Sequence, residues 1–365
     1  MSFTLLSHFI STDILFISPS GLQIDISSSQ VNLLGTDCTN ERVKNLCDLN
    51  FKIIIYHADS YCINVVDPDA FGSSSNLVLL LGDTHHGPNP ITNVIDWIIC
   101  SPVKRVLNYS CPHHDELLTY FTGIECIYFP IVFGAKYWHM PTHTSKYNII
   151  HIGNLSEHHQ RRQIVIKSLQ ASNAKITLLR LYGLNMSSAL NSSIASLNCS
   201  LNCDISHRIS ESLAAGTFLY TDRLTKYHKF LSFLDAEGLV FLYNLDDIFN
   251  LNNSINNLVE KYSTQAGRKL IFEEKKNIQK KFIQILKDFN LYTLAASYIM
   301  MKDIDLPDIL IPATTFFKEK LNRNVLSCYE HYQEHHRKYP FQARNVSLSG
   351  SDLENYELLC SRIKS

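Results

Sequence analysis

The sequence predicts an α/β fold class, with two Rossmann-like domains facing a central cleft and a helical C-terminal extension. Three observations carry this expectation. Short, near-continuous apolar runs alternate with segments of helical character, the pattern of a parallel sheet covered on both faces. The alternation breaks once, over Pro130–Ser145, and then restarts. The chain also has 365 residues, and single hydrophobic cores stop growing near roughly 250–300 residues.

In the first stretch, Asp13–Ser18 reads as a strand that stops at Pro19 and Gly21. Glu41–Asn50 is helical, and Phe51–His57 and Asn76–Gly82 are buried strands. Ile91–Ile99 is a helix, Lys104–Tyr109 a strand, Pro112–Thr122 a helix with proline at its first position, and Glu125–Phe129 a strand. Pro130–Ser145 holds prolines, Gly134, His139 and His143 with little periodicity, and is expected to link the domains.

The second stretch opens with the strand Tyr147–Gly153 and the helix Arg161–Ala171. Lys175–Leu181 and Ile194–Leu201 follow as strands, Ser206–Ala215 as a short helix, and Thr217–Thr221 and Leu239–Tyr243 as strands. Leu245–Tyr262 is mostly helical. Gly267–Asn290 is a long amphipathic helix, with Ile271, Ile278, Phe282, Ile285, Leu286 and Phe289 near helical spacing. The expected division is residues 1–143, residues 144–303, and a helical extension over 304–365 that packs back on the N-terminal domain.

Composition narrows the function. The chain is 45% hydrophobic and 18% charged, which suits a globular protein with a sizeable core. Its net charge of −1 gives no basic surplus for a nucleic-acid partner. Ten cysteines are scattered with no CxxC pair, which points to a reducing, cytoplasmic location rather than a disulfide framework. The N-terminus has no signal-peptide pattern, and no apolar run reaches the ~18 residues of a transmembrane segment. No Gly-x-Gly-x-x-Gly follows the first strand, and neither a P-loop nor a Gly-x-Ser-x-Gly elbow occurs. Nicotinamide, P-loop and α/β-hydrolase chemistry therefore lack their fingerprints.

Residues 197–223 carry the sharpest signal. Ser206 stands where an N-cap is expected, and Gly216 ends the short helix after it. A helix start beyond the carboxyl end of a parallel strand offers free N–H groups and a positive dipole to a pyrophosphate. His207 and Arg208 lie in its first turn, where cations are unfavourable without an anion nearby. Arg208 and Glu211, three apart, share a face. An ordinary intrahelical ion pair is the plain alternative.

The run Asn202-x-Asp204-x-x-His207-Arg208-x-x-Glu211-x-Leu-Ala-Ala-Gly216, ending at Thr221-Asp222, resembles the donor-binding segment of GT-B fold glycosyltransferases. It looks most like the group related to the spore maturation protein CgeB. The resemblance implies that Glu211 bonds the ribose hydroxyls of a nucleotide-sugar donor and that Arg208 faces its diphosphate. It extends more weakly to His151-Ile-Gly153-Asn154 followed by Arg161-Arg162, and to Gly82–Gly87. The implied donor-binding set is Gly153, Asn154, Arg162, Asn202, His207, Arg208, Glu211 and Asp222. Many retaining members carry a second glutamate eight residues before the first. Here that position is Cys203, with Asp204 one residue off, so the stereochemical course stays open.

On the acceptor side, Gly82-Asp83-Thr84-His85-His86-Gly87-Pro88 follows a strongly apolar strand. Asp83 or His85 is the expected catalytic base, taking a proton from an acceptor hydroxyl. A turn capped by Asp83 is the structural alternative. Zinc held by Asp83, His85 and His86, with His113 and His114, is a weaker one, because adjacent histidines rarely converge on one ion.

The combined expectation is a metal-independent enzyme of the hexosyltransferase class, without a cofactor. It moves a sugar from a nucleotide-sugar donor to a hydroxyl acceptor on a glycan, lipid or protein. The N-terminal domain would hold the acceptor and the next domain the donor. Arg208, the helix start and Arg162 would stabilise the leaving diphosphate. The rival expectations are a non-catalytic binding or scaffold protein with a degenerate version of this fold, and a sugar-nucleotide epimerase.

Overall fold

The computed structural model describes residues 13–310, apart from 23, 25–28, 85–89, 111–114, 133–134, 139–140, 142–145, 156–159, 182, 201–204, 223–228 and 245–247. These residues form two compact units. Residues 13–130 and 291–310 make one, and residues 131–290 make the other.

The first unit is built on six parallel strands: β1 (Ile14–Ser18), β2 (Gln30–Leu34), β3 (Ile53–Ala58), β4 (Leu77–Leu81), β5 (Arg105–Asn108) and β6 (Cys126–Tyr128). Their order is β2-β1-β3-β4-β5-β6. In register, Ile17 of β1 lies between Leu33 of β2 and Tyr56 of β3. Every residue of β1, β3 and β4 is buried, as their largely apolar content requires of strands covered on both faces. The helices are α1 (Asn40–Cys47), α2 (Pro90–Cys100) and α3 (Asp115–Thr122). Thr39 caps α1 by accepting from the Arg42 N–H.

One aromatic cluster anchors this core. The rings of Tyr56 and Trp97 stack at 4.8 Å, and Phe71 meets Trp97 edge-on. Burying such rings leaves their polar tips to be satisfied. Trp97 Nε1 donates to the Val66 carbonyl at 2.9 Å, and the Tyr56 hydroxyl donates to the Ile63 carbonyl at 2.7 Å.

The second unit has five parallel strands: β7 (Tyr147–Ile152), β8 (Ile176–Leu179), β9 (Ser193–Asn198), β10 (Phe218–Asp222) and β11 (Val240–Tyr243), in the order β11-β10-β9-β7-β8. Counted from its own first strand this is 2-1-3-4-5, the order of the first unit without its sixth strand. Both halves are therefore doubly wound with the same topology. The helices are α4 (Gln160–Ala171), α5 (Gly183–Asn191), α6 (His207–Ala214), α7 (Lys229–Ala236), α8 (Ile248–Ser263) and α9 (Gln265–Asp288). Thr264 caps α9 through the Gly267 N–H at 3.0 Å.

Helix α9 fastens this unit from one side. Lys275, 1% exposed, donates to the carbonyls of Asn191 and Ser193 at the α5–β9 junction. Gln279 donates to the Ala214 carbonyl at the end of α6. Gly216, at φ +69°, lies so close that a Cβ there would meet the Lys275 carbonyl oxygen at 2.4 Å. A glycine is the residue that tolerates both conditions.

Residues 131–146 belong to the second unit. Ile131, Val132, Tyr137 and Trp138 are buried, a 3-10 turn at Ala135–Trp138 packs on α5 and α6, and the Trp138 ring stacks 6.0 Å from Phe282. The division thus falls at 130/131. The proline-containing stretch is docked by its apolar side chains. At the other end, Asn290 adopts φ +49° and stops α9. The next helix, α10 (Leu291–Ile299), belongs to the first unit, so the chain returns there at 291, ahead of the expected 304. A 3-10 turn at Asp308–Leu310 follows. Residues 311–365 of the expected helical extension lie outside the described residues. Among the described residues no helix is long and apolar enough to cross a membrane.

Candidate functional site

In doubly wound sheets, ligands bind beyond the carboxyl ends of the strands, at the point where strand order reverses. That point lies between β7 and β9 in the second unit. Gly153 follows β7 directly and Cys199 follows β9. Arg162, from the first turn of α4, joins them: Nη1 donates to the Asn154 carbonyl and Nη2 to the Cys199 carbonyl, both at 3.1 Å. A Cβ on residue 153 would lie 3.0 Å from Arg162 Nη1 and 3.1 Å from His151 Nε2, so glycine leaves the guanidinium its passage. His151 Nδ1 is held by the Leu197 carbonyl at 2.9 Å.

The β9–α6 connection is braced from the neighbouring strand ends. Asp222, fully buried, accepts from the Ser200 N–H at 2.8 Å and from its hydroxyl at 2.5 Å. Asn198 Nδ2 donates to Thr221 Oγ1 at 2.9 Å, and the Tyr243 hydroxyl donates to the Asn198 carbonyl at 2.8 Å. Ser206 stands at the N-cap of α6, yet its hydroxyl donates to Asn198 Oδ1 at 3.1 Å and makes no capping bond. The Ser206 side chain thus caps none of the first-turn N–H groups of α6, and the Ile209 N–H bonds the Ser206 carbonyl at 3.0 Å. The Ser196 and Ser212 hydroxyls, 2.8 Å apart, tie α6 to β9.

His207 opens α6. Arg208 Nη1 meets Glu211 Oε2 at 2.9 Å, with the two side chains 20% and 12% exposed. The Tyr137 hydroxyl also donates to Glu211. Burial is the main reason its pKa is raised, and the carboxylate adds to it. The structure therefore groups Gly153, Asn154 and Arg162 at the switch point and His207, Arg208 and Glu211 along α6. Asp222 braces the chain at Ser200, just after β9. Asn202, with Cys203 and Asp204, lies outside the described residues.

The equivalent point in the first unit lies between β1 and β3. His57, 1% exposed, is held there by Ser18 Oγ at 2.9 Å from Nδ1 and by the Tyr109 hydroxyl at 2.6 Å from Nε2. Burial depresses its pKa from 6.5 to about 3, so the ring is neutral and one nitrogen donates while the other accepts. Beyond it, Asp59 Oδ1 accepts the Asp83 N–H at 2.6 Å, and the Asp83 carbonyl accepts the Ser60 N–H at 2.7 Å. Tyr61 bonds Asp59 from the exposed side. A Cβ on Gly82 would lie 2.1 Å from Asp59 Oδ1 and 2.6 Å from the Tyr109 hydroxyl.

Asp83 is therefore at the carboxyl edge of the sheet, half-buried, beside a second carboxylate that sequence reasoning missed. His85, His86, His113 and His114 lie outside the described residues. The missed signal was the strand Ile53-Ile-Ile-Tyr-His-Ala58 leading straight into Asp59. That residue leaves β3 as Asp83 leaves β4, and the strand's apolar run drew attention away from its polar end.

No protein-family model matches the sequence, and no curated protein is significantly similar to it. Among solved structures the chain is similar to TarM, at 13% identity and a TM-score of 0.43 over 68% of this chain. It spans 57% of the length of TarM. It is also similar to the N-terminal domain of trehalose-6-phosphate phosphatase from Candida albicans, at 10% identity, TM-score 0.46, and 73% and 74% of the two chains. A third is sucrose-phosphate synthase from Thermosynechococcus elongatus, at 10% identity, TM-score 0.42, and 77% and 80% of the two chains. At these values the functional reading rests on the site's own geometry.

Proposed function

We propose that the protein is a glycosyltransferase of the GT-B type, resembling the CgeB-related group, which moves a sugar from a nucleotide donor to a hydroxyl acceptor. One observation carries the reading. Arg162 spans the switch point of the second unit, and the same β9 end leads into α6, whose first turn lacks a side-chain cap. A cation over a strand reversal beside a helix start that its N-cap side chain leaves uncapped suits a diphosphate. Glu211, one turn along α6, receives the ribose hydroxyls.

In the reaction, the bond from the sugar's anomeric carbon to the diphosphate oxygen breaks, and the nucleoside diphosphate departs with the bonding electrons. Arg208, Arg162 and the α6 N–H groups stabilise the charge it gains, without a resident metal. The acceptor hydroxyl attacks the anomeric carbon and loses its proton to a general base, for which Asp83 and His85 are the candidates. The acceptor is a glycan, lipid or protein hydroxyl.

Thermal unfolding with uridine, guanosine and thymidine diphosphates tests this. At least one should raise the melting temperature by several degrees at saturating ligand, roughly 2–3 kcal/mol at a hundredfold excess over Kd. Glu211→Ala should remove the gain. A shift that survives this substitution would place the nucleotide elsewhere.

A further inference from the structure

Glu211 is held by more than its helical neighbour. Arg208 Nη1 takes Oε2 at 2.9 Å, and the Tyr137 hydroxyl donates to the same carboxylate. Tyr137 is 4% exposed and lies in the 3-10 turn Ala135–Trp138, which packs on α5 and α6. The adjacent Trp138 ring is stacked on Phe282 of α9, which fixes the turn that carries Tyr137. A carboxylate offers about four acceptor positions, so two donors orient it and leave room for two more. A vicinal pair of sugar hydroxyls supplies two.

We propose that Tyr137 is a positioning residue for ribose recognition, presenting the Glu211 carboxylate to the 2′- and 3′-hydroxyls of the nucleotide and so selecting ribonucleotide over deoxyribonucleotide donors. This rests on the donor reading of Glu211 given above. The arrangement has a physical logic. Arg208 alone, on the same helix face, leaves the carboxylate free to rotate about its terminal bond. A second donor on another element fixes that rotation. The segment that supplies it is the one by which the chain enters the second unit, so the approach to the unit and the nucleotide subsite share one hydrogen bond.

The experiment compares affinities of the full-length protein for uridine diphosphate and 2′-deoxyuridine diphosphate, or for the corresponding guanosine pair if that is the base bound, by isothermal titration. The wild type should favour the ribonucleotide. Tyr137→Phe keeps the ring and its packing but not the donor. It should lower the ribo-to-deoxy affinity ratio by about tenfold, the worth of one hydrogen bond to a charged group. Tyr137→His, which returns an N–H toward Glu211, should restore part of the ratio. Glu211→Gln should bring the ratio close to one. A merely structural tyrosine would weaken both nucleotides alike and leave the ratio unchanged. An unchanged ratio in Tyr137→Phe, with a collapsed ratio in Glu211→Gln, would overturn the role of Tyr137 while sparing the donor site. No binding of any diphosphate by the wild type would overturn both. Should Tyr137→Phe unfold, Tyr137→His carries the same test: a ratio below the wild-type value supports the role of Tyr137, and a ratio equal to the wild-type value with both affinities weakened overturns it.

Discussion

The guanidinium of Arg105 lies 4.8 Å from the centre of the Tyr298 ring and bonds the carbonyl of the same residue at 3.1 Å. A second bond reaches the Lys302 carbonyl at 2.5 Å, and the Tyr298 hydroxyl donates to the Glu125 carbonyl at 2.7 Å. One cation thus adds to the last turn of α10, where the helix dipole favours positive charge and the Tyr298 carbonyl also accepts the Met301 N–H at 3.1 Å. It docks that helix against β5 from 193 residues away in the chain.

Arg105→Ala should therefore destabilise the first unit by about 2–3 kcal/mol, from the lost cation–π contact and the two lost hydrogen bonds of the guanidinium. Arg105→Lys should recover only part, because an ammonium lacks the fork that spans two carbonyls. Urea unfolding followed by tryptophan fluorescence reads both. Equal loss in the two variants would show that charge contributes nothing here.

Lys275 should make stability rise with pH just above neutrality. Burial lowers its pKa from 10.5 to about 7, outweighing its two carbonyl acceptors. Between those values the unfolded chain holds the proton and the folded chain does not. Raising the pH removes that difference at up to about 1.4 kcal/mol per unit. Cys47 and Cys62 oppose the trend above pH 9, because burial raises their thiols to about 11. The window to measure is pH 7 to 8.5. Lys275→Met should flatten the slope there, and a slope retained by the variant would mean another group produces it.

His57 acts in the acid range. Its folded pKa of about 3 lies below the ordinary 6.5, so its contribution is complete above pH 6.5 and is lost as pH falls toward 3. Denaturant unfolding at pH 7 and pH 4.5 should show a loss on the order of a kcal/mol per pH unit. His57→Gln should cost about 1–3 kcal/mol at pH 7, as Ser18 and Tyr109 lose their partner, and should reduce the acid sensitivity. An unreduced acid sensitivity would assign it to other groups.

Gly82→Ala places a methyl group 2.1 Å from Asp59 Oδ1. The carboxylate must swing away and give up the Asp83 N–H. A loss of about 1–3 kcal/mol is expected. If the paired carboxylates serve the acceptor, sugar transfer should fall further than the stability change explains, with donor-nucleotide affinity unchanged. Wild-type transfer in this variant would remove Asp59 from the site.

The parts of this molecule that the sequence disclosed are those governed by local rules. β1, β3 and β4 are unbroken apolar runs, and Gly216 marks the end of α6 by its position. β2 went unread because Val31 and Asn32 are exposed on an edge strand and the segment leaves no apolar run. α5 went unread because Ser187, Ser188 and Asn191 break its apolar pattern, although Ser187 and Asn191 are buried by contacts from elsewhere. Asp83 was found from its strand, but its partner Asp59 emerges only when the β3–β4 register sets Ala58 opposite Leu81. Tyr137 was hidden inside a stretch with no periodicity, where Trp138 of the same turn stacks on Phe282 of α9. Asp222 shows the reverse: it stands in the resembling motif, yet its carboxylate is committed to Ser200.

The chain leaves the first unit after Pro130 and regains it at Leu291. On the ribosome, residues 13–130 must therefore wait for α10 of their own unit while the whole of 131–290 emerges. At roughly 5–20 residues per second that delay is on the order of ten seconds or more. During it the flank of β5 lacks α10, and Arg105 has no carbonyls to meet. The inserted half, contiguous in sequence, is free to finish first, so nascent chains stalled before Leu291 should carry a native second half beside an incomplete, protease-sensitive first.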